Sequence, residues 1–388
     1  MSNIDGENWY EDGVESEDND YQIEEYDITA SPNDFNVKTI FDFIGSGVVK
    51  IPGFQRNYVW DLGRASKLIE SIIIGLPVPQ IFLYEEKRNH FLVIDGQQRL
   101  MTIYYFIKQC FPKKEKRSAL RAVFAEHGHI PDSFLNNDEY FEEFSLKLPS
   151  RLPDQPNRFD GLSYSMLDEY KASFELRTIR NVIIKQNMPK NDDSSIYEIF
   201  SRLNSGGVNL TTQEIRMSLY HSDFYTMLHT INTHPQWRTL LGFSEPDINM
   251  KDIEILLRGF AMLVEGESYK PSMVKFLNNF SQNCKAFTQE NNSYLKSLFH
   301  SFVESCSDLP EGSFSKKGKF NISLYESVFA AICGKVLPSR SQIRIKIDPI
   351  KLKALREDTQ FISSSKSSTT SKANVKKRLE RARLLLLD

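Results

Sequence analysis

Apolar residues along the chain follow short periodic patterns that predict alternating helices and strands. The run Thr39–Ile44 has helical spacing, and Val48–Ile51 is typical of a strand. A longer helix is predicted after Asp61, a good capping residue, and Gly75 would end it. The apolar residues of this helix fall on one face, which comprises Leu62, Ala65, Leu68, Ile69, Ile72 and Ile73.

A hairpin followed by a helix is predicted next. The apolar runs Gln80–Tyr84 and Phe91–Ile94 are separated by the charged residues 85–90, a pattern typical of two paired strands. Asp95-Gly96 then turns the chain, and a helix is predicted over Gln97–Cys110, burying Leu100, Ile103, Tyr104 and Ile107.

The pattern is weaker in the following part of the chain. Residues 112–160 are rich in charge, Pro and Asn, and we interpret them as an insertion. Phe174–Ile184 alternates like a strand, and Ile196–Leu203 has helical spacing. Thr211 with Glu214 three residues later is a capping-box pattern, which predicts another helix start.

The length of 388 residues exceeds one average domain and predicts two lobes. We expect an α/β (α+β) lobe over residues 37–220 and a helical lobe over residues 221–360. Residues 1–36 are predicted to be an acidic, mobile tail, because no Lys or Arg occurs from Asp5 to Asp27. Residues 361–388 are interpreted as a Ser/Thr/Lys linker with a basic terminal helix.

Composition narrows the class of protein. With 40% hydrophobic residues, the chain has enough apolar material for a core without metal or disulfide staples. Its four cysteines lie far apart and form no metal-binding spacing, so we expect a reduced, cytoplasmic protein without a Cys/His metal site. No long apolar run predicts a membrane segment. The net charge of −3 disfavours a protein that coats nucleic acid.

The strongest chemical pattern is strand, Asp95-Gly96-Gln97-Gln98-Arg99, helix. It suits a phosphate, because Gly96 permits a tight turn, the first amides of a helix lack partners, and Arg99 adds a cation. Gln97 and Gln98 could hold water or a nucleotide edge. Asp95 could orient a water molecule, hold magnesium or only cap the helix.

Two further stretches are candidates for the same ligand. Gln55 and Arg56 follow a predicted strand and could contact a phosphate or a base, with Tyr58 or Trp60 as a stacking face. The alternative is an arginine packed on aromatic side chains.

The second stretch is the polar, glycine-containing loop that carries Arg202 and Asn204. This loop could approach a ligand closely, or it could simply connect two helices. A plain connection explains most of its sequence, but it leaves Arg202 and Asn204 without a role.

The terminal helix carries a group of cations that could contact DNA phosphates. The alternative, which we favour, is a helix that packs on the body through Leu379 and Leu384–Leu387. The candidate DNA-binding residues are Lys376, Lys377, Arg378 and Arg381.

Four ordered motifs resemble the amino-terminal domain of GmrSD-type restriction enzymes and the related SspE defence protein. The resemblance runs from about residue 37 to 220. The motifs are Pro52-x-Phe-Gln-Arg-x-Tyr-Val-Trp60, Gly75-Leu-Pro-Val-Pro79, Asp95-Gly-Gln-Gln-Arg-Leu100 and the stretch from Arg202-Leu-Asn-Ser-Gly-Gly207 to Arg216.

The resemblance implies a ParB/sulfiredoxin-like fold and function. It implies binding of a nucleoside triphosphate (NTP) with magnesium, and hydrolysis, at the Asp95–Arg99 turn with Arg56 nearby. This activity would regulate attack on foreign or modified DNA in phage defence. We expect Asp95 and Gln97 in the catalytic role and magnesium at Asp95. An alternative is a non-enzymatic DNA-binding or regulatory adaptor.

The expected nuclease domain of such enzymes, an HNH domain with ordered His and Asn residues, has no counterpart pattern in the sequence. The closest stretch holds His127 and His129, beside which no partner ligand or general base can be placed. We therefore disfavour a nuclease role for this chain and expect a separate nuclease subunit to cut DNA.

Overall fold

A computed structural model of the protein describes most of the chain. The described residues are 9–11, 27–51, 58–117, 119–120, 123, 130–150, 156–188, 196, 199, 211–247 and 249–387. The chain divides into a sheet unit, Glu24–Ser218, and a helical unit, Met1–Ile23 with Leu219–Asp388. The first contains a five-stranded sheet and the second is mainly helical, so the predicted mixed α/β class is confirmed.

A mixed sheet lies at the centre of the sheet unit. With strands numbered along the chain, its spatial order is β2 (Asp27–Asn36), β8 (Thr178–Met188), β4 (Ile81–Lys87), β5 (His90–Asp95) and β3 (Val49–Lys50). β2 is antiparallel to β8, and β5 is antiparallel to β4. β4 and β8 are parallel, as are β3 and β5. A separate antiparallel pair joins β6 (Cys110–Pro112) and β7 (Phe141–Glu143).

The described helices of this unit, also numbered along the chain, are α1 (Val37–Gly45), α2 (Leu62–Ile74), α3 (Gln97–Ile107), α4 (Asp132–Leu135), α5 (Glu169–Leu176) and α6 (Thr212–Leu219). The prediction for α2 is confirmed, since the Asp61 side chain accepts from the Arg64 amide and Gly75 ends the helix with φ 82°. The capping box at Thr211 and Glu214 is also present.

Three predicted boundaries differ from the structure. Residues 27–36 are part of the sheet rather than a mobile tail, because main-chain pairing with β8 holds them along their whole length. α3 ends at Ile107 rather than Cys110, which instead begins β6. The first residues of the predicted strand Phe174–Ile184 end α5, and β8 starts at Thr178.

The segment that we interpreted as an insertion contributes to the main core of the sheet unit. Phe144, Leu146, Leu148 and Phe159 are buried and belong to the same hydrophobic cluster as the helices and the sheet. Phe144 packs edge-to-face against Phe106 and Phe111. The polar composition of this segment concealed its few large apolar residues, which decide where it lies.

The helical unit holds nine described helices, which are α7 (Asp223–Asn232), α8 (Pro235–Leu241), α9 (Lys251–Glu265), α10 (Met273–Cys284), α11 (Gln289–Ser305), α12 (Ile322–Gly334), α13 (Pro349–Glu357), α14 (Thr359–Ser363) and α15 (Lys372–Leu387). It also has a small sheet with the order β1 (Tyr10–Glu11), β10 (Lys319–Asn321) and β9 (Ser315–Lys316). Tyr10 and Glu11 therefore form strand β1 rather than part of a mobile tail.

An aromatic core fills the helical unit. Trp237 is fully buried and contacts Phe299 and Tyr325, and Phe329 packs edge-to-face on Phe302. Among the described residues, no helix is both long enough and apolar enough to cross a lipid bilayer.

Candidate functional site

The turn between β5 and α3 is a tight, glycine-dependent bend at the edge of the sheet unit. Gly96 has φ 97° and precedes the first residue of α3, which begins without a side-chain cap. A Cβ atom on Gly96 would lie 2.3 Å from Cγ2 of Ile81, so any larger residue would clash there. The uncapped helix start leaves the positive end of the α3 dipole to a ligand or to solvent.

Asp95 and Arg99 form an ion pair within this turn. The Arg99 Nη2 atom is 2.7 Å from the Asp95 Oδ2 atom and also donates to the Gln80 carbonyl at 3.1 Å. The Arg99 side chain is 17% exposed and that of Asp95 is 39% exposed. The capping alternative for Asp95 is therefore wrong, because Gly96 precedes the helix and the carboxylate binds Arg99 instead.

Arg99 uses only part of its hydrogen-bonding capacity. Its Nε atom is buried and has no hydrogen-bond partner among the described residues. An arginine has five N–H donors, and here both described hydrogen bonds of the side chain come from one nitrogen. The buried Nε atom is out of reach of a ligand, but no described hydrogen bond uses the Nη1 atom, so Arg99 keeps spare donors at the start of a helix, a geometry that suits an anionic ligand.

The two glutamines of the turn have different positions. The Gln98 Oε1 atom accepts from the main-chain amide of Val59 at 2.9 Å and more weakly from that of Trp60 at 3.4 Å. Gln98 thus holds the segment that leads into α2, rather than a ligand. The Gln97 amide lies 3.7 Å from the sulfur of Met101 and remains half-buried at the turn.

Tyr58 is a core residue rather than a stacking face for a ligand. Its side chain is 3% exposed, and its hydroxyl hydrogen-bonds to that of Thr102 at 2.8 Å. Burial raises the pKa of Tyr58 well above its ordinary value. The ring packs edge-to-face on Tyr105 and Phe111, so the prediction that it stacks on a base is wrong.

Two arginines, Arg117 and Arg64, pack on aromatic rings in this region. Such packing was the alternative for Arg56, which lies outside the described residues. The Arg117 guanidinium lies 5.6 Å from the centre of the Tyr58 ring and donates to the Trp60 carbonyl at 2.9 Å. Burial lowers the pKa of Arg117. Arg64 covers the ring of Trp60 at 4.7 Å. Sequence reasoning missed Arg117, because it is one cation in a charged run.

Comparison with protein families assigns the region that contains this turn. Residues 37–221 match the family described as the N-terminal domain of the GmrSD restriction endonuclease. The chain carries a GmrSD N-terminal domain. The match covers strands β3 to β8, helices α1 to α6 and the Asp95–Arg99 turn, but not strand β2, and it links the chain to restriction-type defence. A search of curated proteins found no match.

Four predicted ligand-binding residues of the GmrSD domain lie outside the described residues. They are Gln55, Arg56, Arg202 and Asn204. His127 and His129, the histidines considered for a nuclease role, also lie outside them. Of the ten residues predicted for the nucleotide site, the structure brings Asp95, Gly96, Gln97, Gln98 and Arg99 together at one turn.

The cations of the terminal helix, which follow the GmrSD domain in the chain, are largely used inside the helical unit. Arg378 is buried, so its candidacy for DNA binding is wrong, and the favoured alternative of a helix that packs on the body is confirmed. Arg381 forms two hydrogen bonds with Asp358 and lowers the pKa of that carboxyl group. The apolar face of α15 packs inward through Val375, Leu379, Ala382 and Leu386.

Lys376 and Lys377 of the same helix are the candidate DNA contacts that do not lie in the core. Lys376 has a long ion pair of 3.7 Å with Glu380, and DNA contact by either lysine stays a prediction. Within the described ranges, no group of three or more His, Cys, Asp or Glu residues is arranged to hold a metal ion.

Proposed function

We propose that the chain is an NTP-binding and NTP-hydrolysing regulatory protein that acts with DNA in restriction-type defence. The observation that carries the proposal is the Arg99 guanidinium, which has spare donors at the uncapped start of α3 inside a GmrSD N-terminal domain. A helix start and an arginine together favour phosphate binding through backbone amides and bidentate hydrogen bonds.

The Asp95–Arg99 ion pair gives the site two arrangements. In the described arrangement, the carboxylate neutralises the guanidinium. A triphosphate bound at the helix start would compete with Asp95 for Arg99, since both ligands are anions. Release of Asp95 would leave its carboxylate beside the phosphates, where it can orient the attacking water. Gln97, half-buried at the same turn, would hold that water.

The Asp95 carboxylate can also serve as one ligand of a magnesium ion. Its Oδ2 atom pairs with Arg99, and among the described residues no hydrogen bond reaches Oδ1. Magnesium in nucleotide sites is commonly held by one or two carboxylates together with phosphate oxygens and water. Magnesium would supply charge neutralisation for the phosphates there. The conversion of NTP would then control a partner nuclease that cuts DNA.

Phosphate release from ATP, GTP, CTP and UTP tests this function. We expect wild-type protein with magnesium to release phosphate, with DNA changing the rate. Arg99→Ala and Asp95→Ala should each abolish most of the activity, because each removes one half of the reactive turn. Arg88→Ala is a matched control, since Arg88 is an exposed arginine in the turn between β4 and β5, at the other end of these strands.

The outcome separates the two candidate functions of the chain. Loss of activity in folded Arg99→Ala, with full activity in Arg88→Ala, supports the NTPase. If wild-type protein neither binds nor hydrolyses any of the four nucleotides, the NTPase proposal is wrong. DNA binding that falls steeply with salt and ignores nucleotides would then favour the adaptor.

A further inference from the structure

A cleft of about 490 Å³ opens in the sheet unit beside the start of β8. Its volume lies within the range of roughly 300–1,000 Å³ that small-molecule sites occupy. One wall is formed by the residues that follow α2, and the other by the first residues of β8. The side chains relevant to binding are Leu76, Val78, Gln80, Arg177, Thr178 and Arg180.

The strand register places this cleft at the same end of the sheet as the Asp95–Arg99 turn. Phe82 of β4 pairs with Asp95 of β5, and Ile81 pairs with Asn181 of β8. The start of β8 and the turn are therefore two strands apart, which is roughly 10 Å. Gln80 connects them, since it lines the cleft while its carbonyl accepts from Arg99.

Arg177 provides the cleft with an uncompensated cation. Its side chain is exposed, and among the described residues no hydrogen bond or ion pair involves its guanidinium. The group lies directly over Gly75, where a Cβ atom would be 2.5 Å from the Arg177 Nη2 atom. Arg180 is only weakly neutralised, because its Nε atom is 3.4 Å from Asp34 in an exposed pair.

Apolar and polar groups alternate around the same cleft. Leu76 is 55% exposed at its rim, and Val78 is half-buried beside it. An arginine guanidinium can stack on a base or donate to ring acceptors, and the Thr178 hydroxyl can bond to a sugar. The walls therefore match a ligand with flat apolar faces and polar edges better than they match a bare phosphate.

We propose that this cleft binds the nucleoside part of the nucleotide whose phosphates lie at the Asp95–Arg99 turn. This inference rests on the proposed function, because the turn supplies the phosphate end of the ligand. Arg177 contacts the base or the sugar, and Leu76 with Val78 covers one face of the base. Gln80 lies between the two halves of the site.

Binding of two probes to the full chain separates the two halves of the site. The probes are the four NTPs, each tested in turn, and inorganic tripolyphosphate, which has the phosphates but no nucleoside. Arg177→Ala should weaken NTP binding about 10-fold, because a hydrogen bond from a charged group is lost. It should leave tripolyphosphate binding unchanged. Arg99→Ala should weaken the binding of both probes.

Two further variants control for nonspecific effects. Arg88→Ala removes an exposed arginine from the other end of these strands and should change neither affinity. Leu76→Ala should weaken NTP binding less than Arg177→Ala does, again without an effect on tripolyphosphate. Both Leu76 and Arg177 are exposed, so thermal unfolding of these variants should match that of the wild type.

The contrary outcomes have distinct meanings. If Arg177→Ala binds NTP like the wild type while Arg99→Ala does not, the cleft proposal is wrong and the proposed function stands. An equal loss of tripolyphosphate and NTP affinity in Arg177→Ala also overturns the cleft proposal, because Arg177 would then bind phosphate. A loss of DNA affinity alone would assign the cleft to a nucleic-acid backbone. If the wild type binds neither probe, the proposed function fails as well.

Discussion

Arg99 in the sheet unit and Arg378 in the helical unit were both candidates for binding phosphate groups, and the structure separates them. Arg378 is 1% exposed, and it donates to Glu326 and to the carbonyls of Ser364 and Thr369. Arg99 is 17% exposed, and its hydrogen bonds to described residues all come from one nitrogen. Burial and the number of occupied donors therefore distinguish an arginine that holds the fold from one that can bind a ligand.

The acidic partners of the two arginines differ in the same way. The Glu326 carboxylate is buried and shared by Arg378 and Arg258, with one oxygen for each guanidinium. Burial lowers the pKa of Arg378, whereas Glu326 raises it. The Asp95 carboxylate is 39% exposed and, within the part of the chain that the structure describes, pairs with Arg99 only. A partly exposed carboxylate can exchange partners at little cost, whereas removal of a buried one leaves charge without compensation.

The largest expected effect is that of Glu326→Gln on the stability of the helical unit. The change leaves two buried guanidinium groups without a counter-charge, and it should lower the free energy of unfolding by about 3–5 kcal/mol. Hydrogen exchange of peptides from α9, α12 and α15, measured against urea concentration, gives this value.

Arg381→Ala is the control for the change at Glu326. Arg381 lies in the same helix as Arg378, but its pair with Asp358 is more exposed. We expect a much smaller loss of stability, because water screens and replaces such pairs. Equal losses for the two variants would contradict the distinction between the buried and the exposed charges.

Gly96→Ala should have the next largest effect, and it acts on the sheet unit. The added Cβ meets Ile81, and the backbone at Gly96 has a positive φ that alanine avoids. We expect a loss of at least about 2 kcal/mol in the free energy of unfolding, together with loss of NTP binding. Urea unfolding followed by hydrogen exchange in β4 and α3 measures the loss. A fully stable variant would show that the turn tolerates other residues.

Tyr58→Phe should destabilise the sheet unit by about 1 kcal/mol, because one buried hydrogen bond to Thr102 is lost. The affinity for NTP should not change, since the hydroxyl points into the core rather than to the ligand. Unfolding and binding measured on the same preparation check both statements. If the variant has reduced NTP affinity but unchanged stability, Tyr58 contacts the ligand after all.

The smallest effect concerns His300, which packs against His234 with ring centres 4.9 Å apart. Burial lowers the pKa of His300, and the neighbouring His234 and Lys296 lower it further. As the pH falls, His300 therefore takes up a proton in the unfolded chain before it does so in the folded chain. The helical unit should lose stability as the pH falls below about 6.5. Above that pH the contribution is fully present.

His300→Gln is the variant that checks the pH effect. Urea unfolding between about pH 5 and about pH 8, roughly one and a half units on either side of the ordinary histidine pKa, should show a weaker pH dependence in this variant than in the wild type. An unchanged dependence would assign the effect to other groups.

Local chemistry made several elements predictable. Asp61 and Gly75 bound α2 as expected, and the two apolar runs around residues 85–90 form the predicted hairpin. These features depend on a few neighbouring residues, such as a capping carboxylate or a glycine with positive φ. The Asp95–Arg99 turn was found for the same reason, since strand, glycine and helix start are adjacent in the chain.

Features that depend on distant partners were not predictable in this way. Residues 27–36 have a polar sequence, and their pairing partner β8 lies about 150 positions later in the chain. The role of Asp95 depended on whether its side chain turns toward the helix amides or toward Arg99. Arg117 acquired its role only because the Tyr58 ring lies beneath it.

The sequence by itself determined the mixed fold class, the bounds of α2 and the turn that carries Asp95, Gly96 and Arg99, because these follow from short-range periodicity and backbone geometry. The tertiary structure alone decided which cations are free. Arg378 forms a buried ion pair with Glu326, whereas Arg177 faces an open cleft. The physical reason is that burial and charge pairing are set by residues far apart in the chain, which no local pattern records.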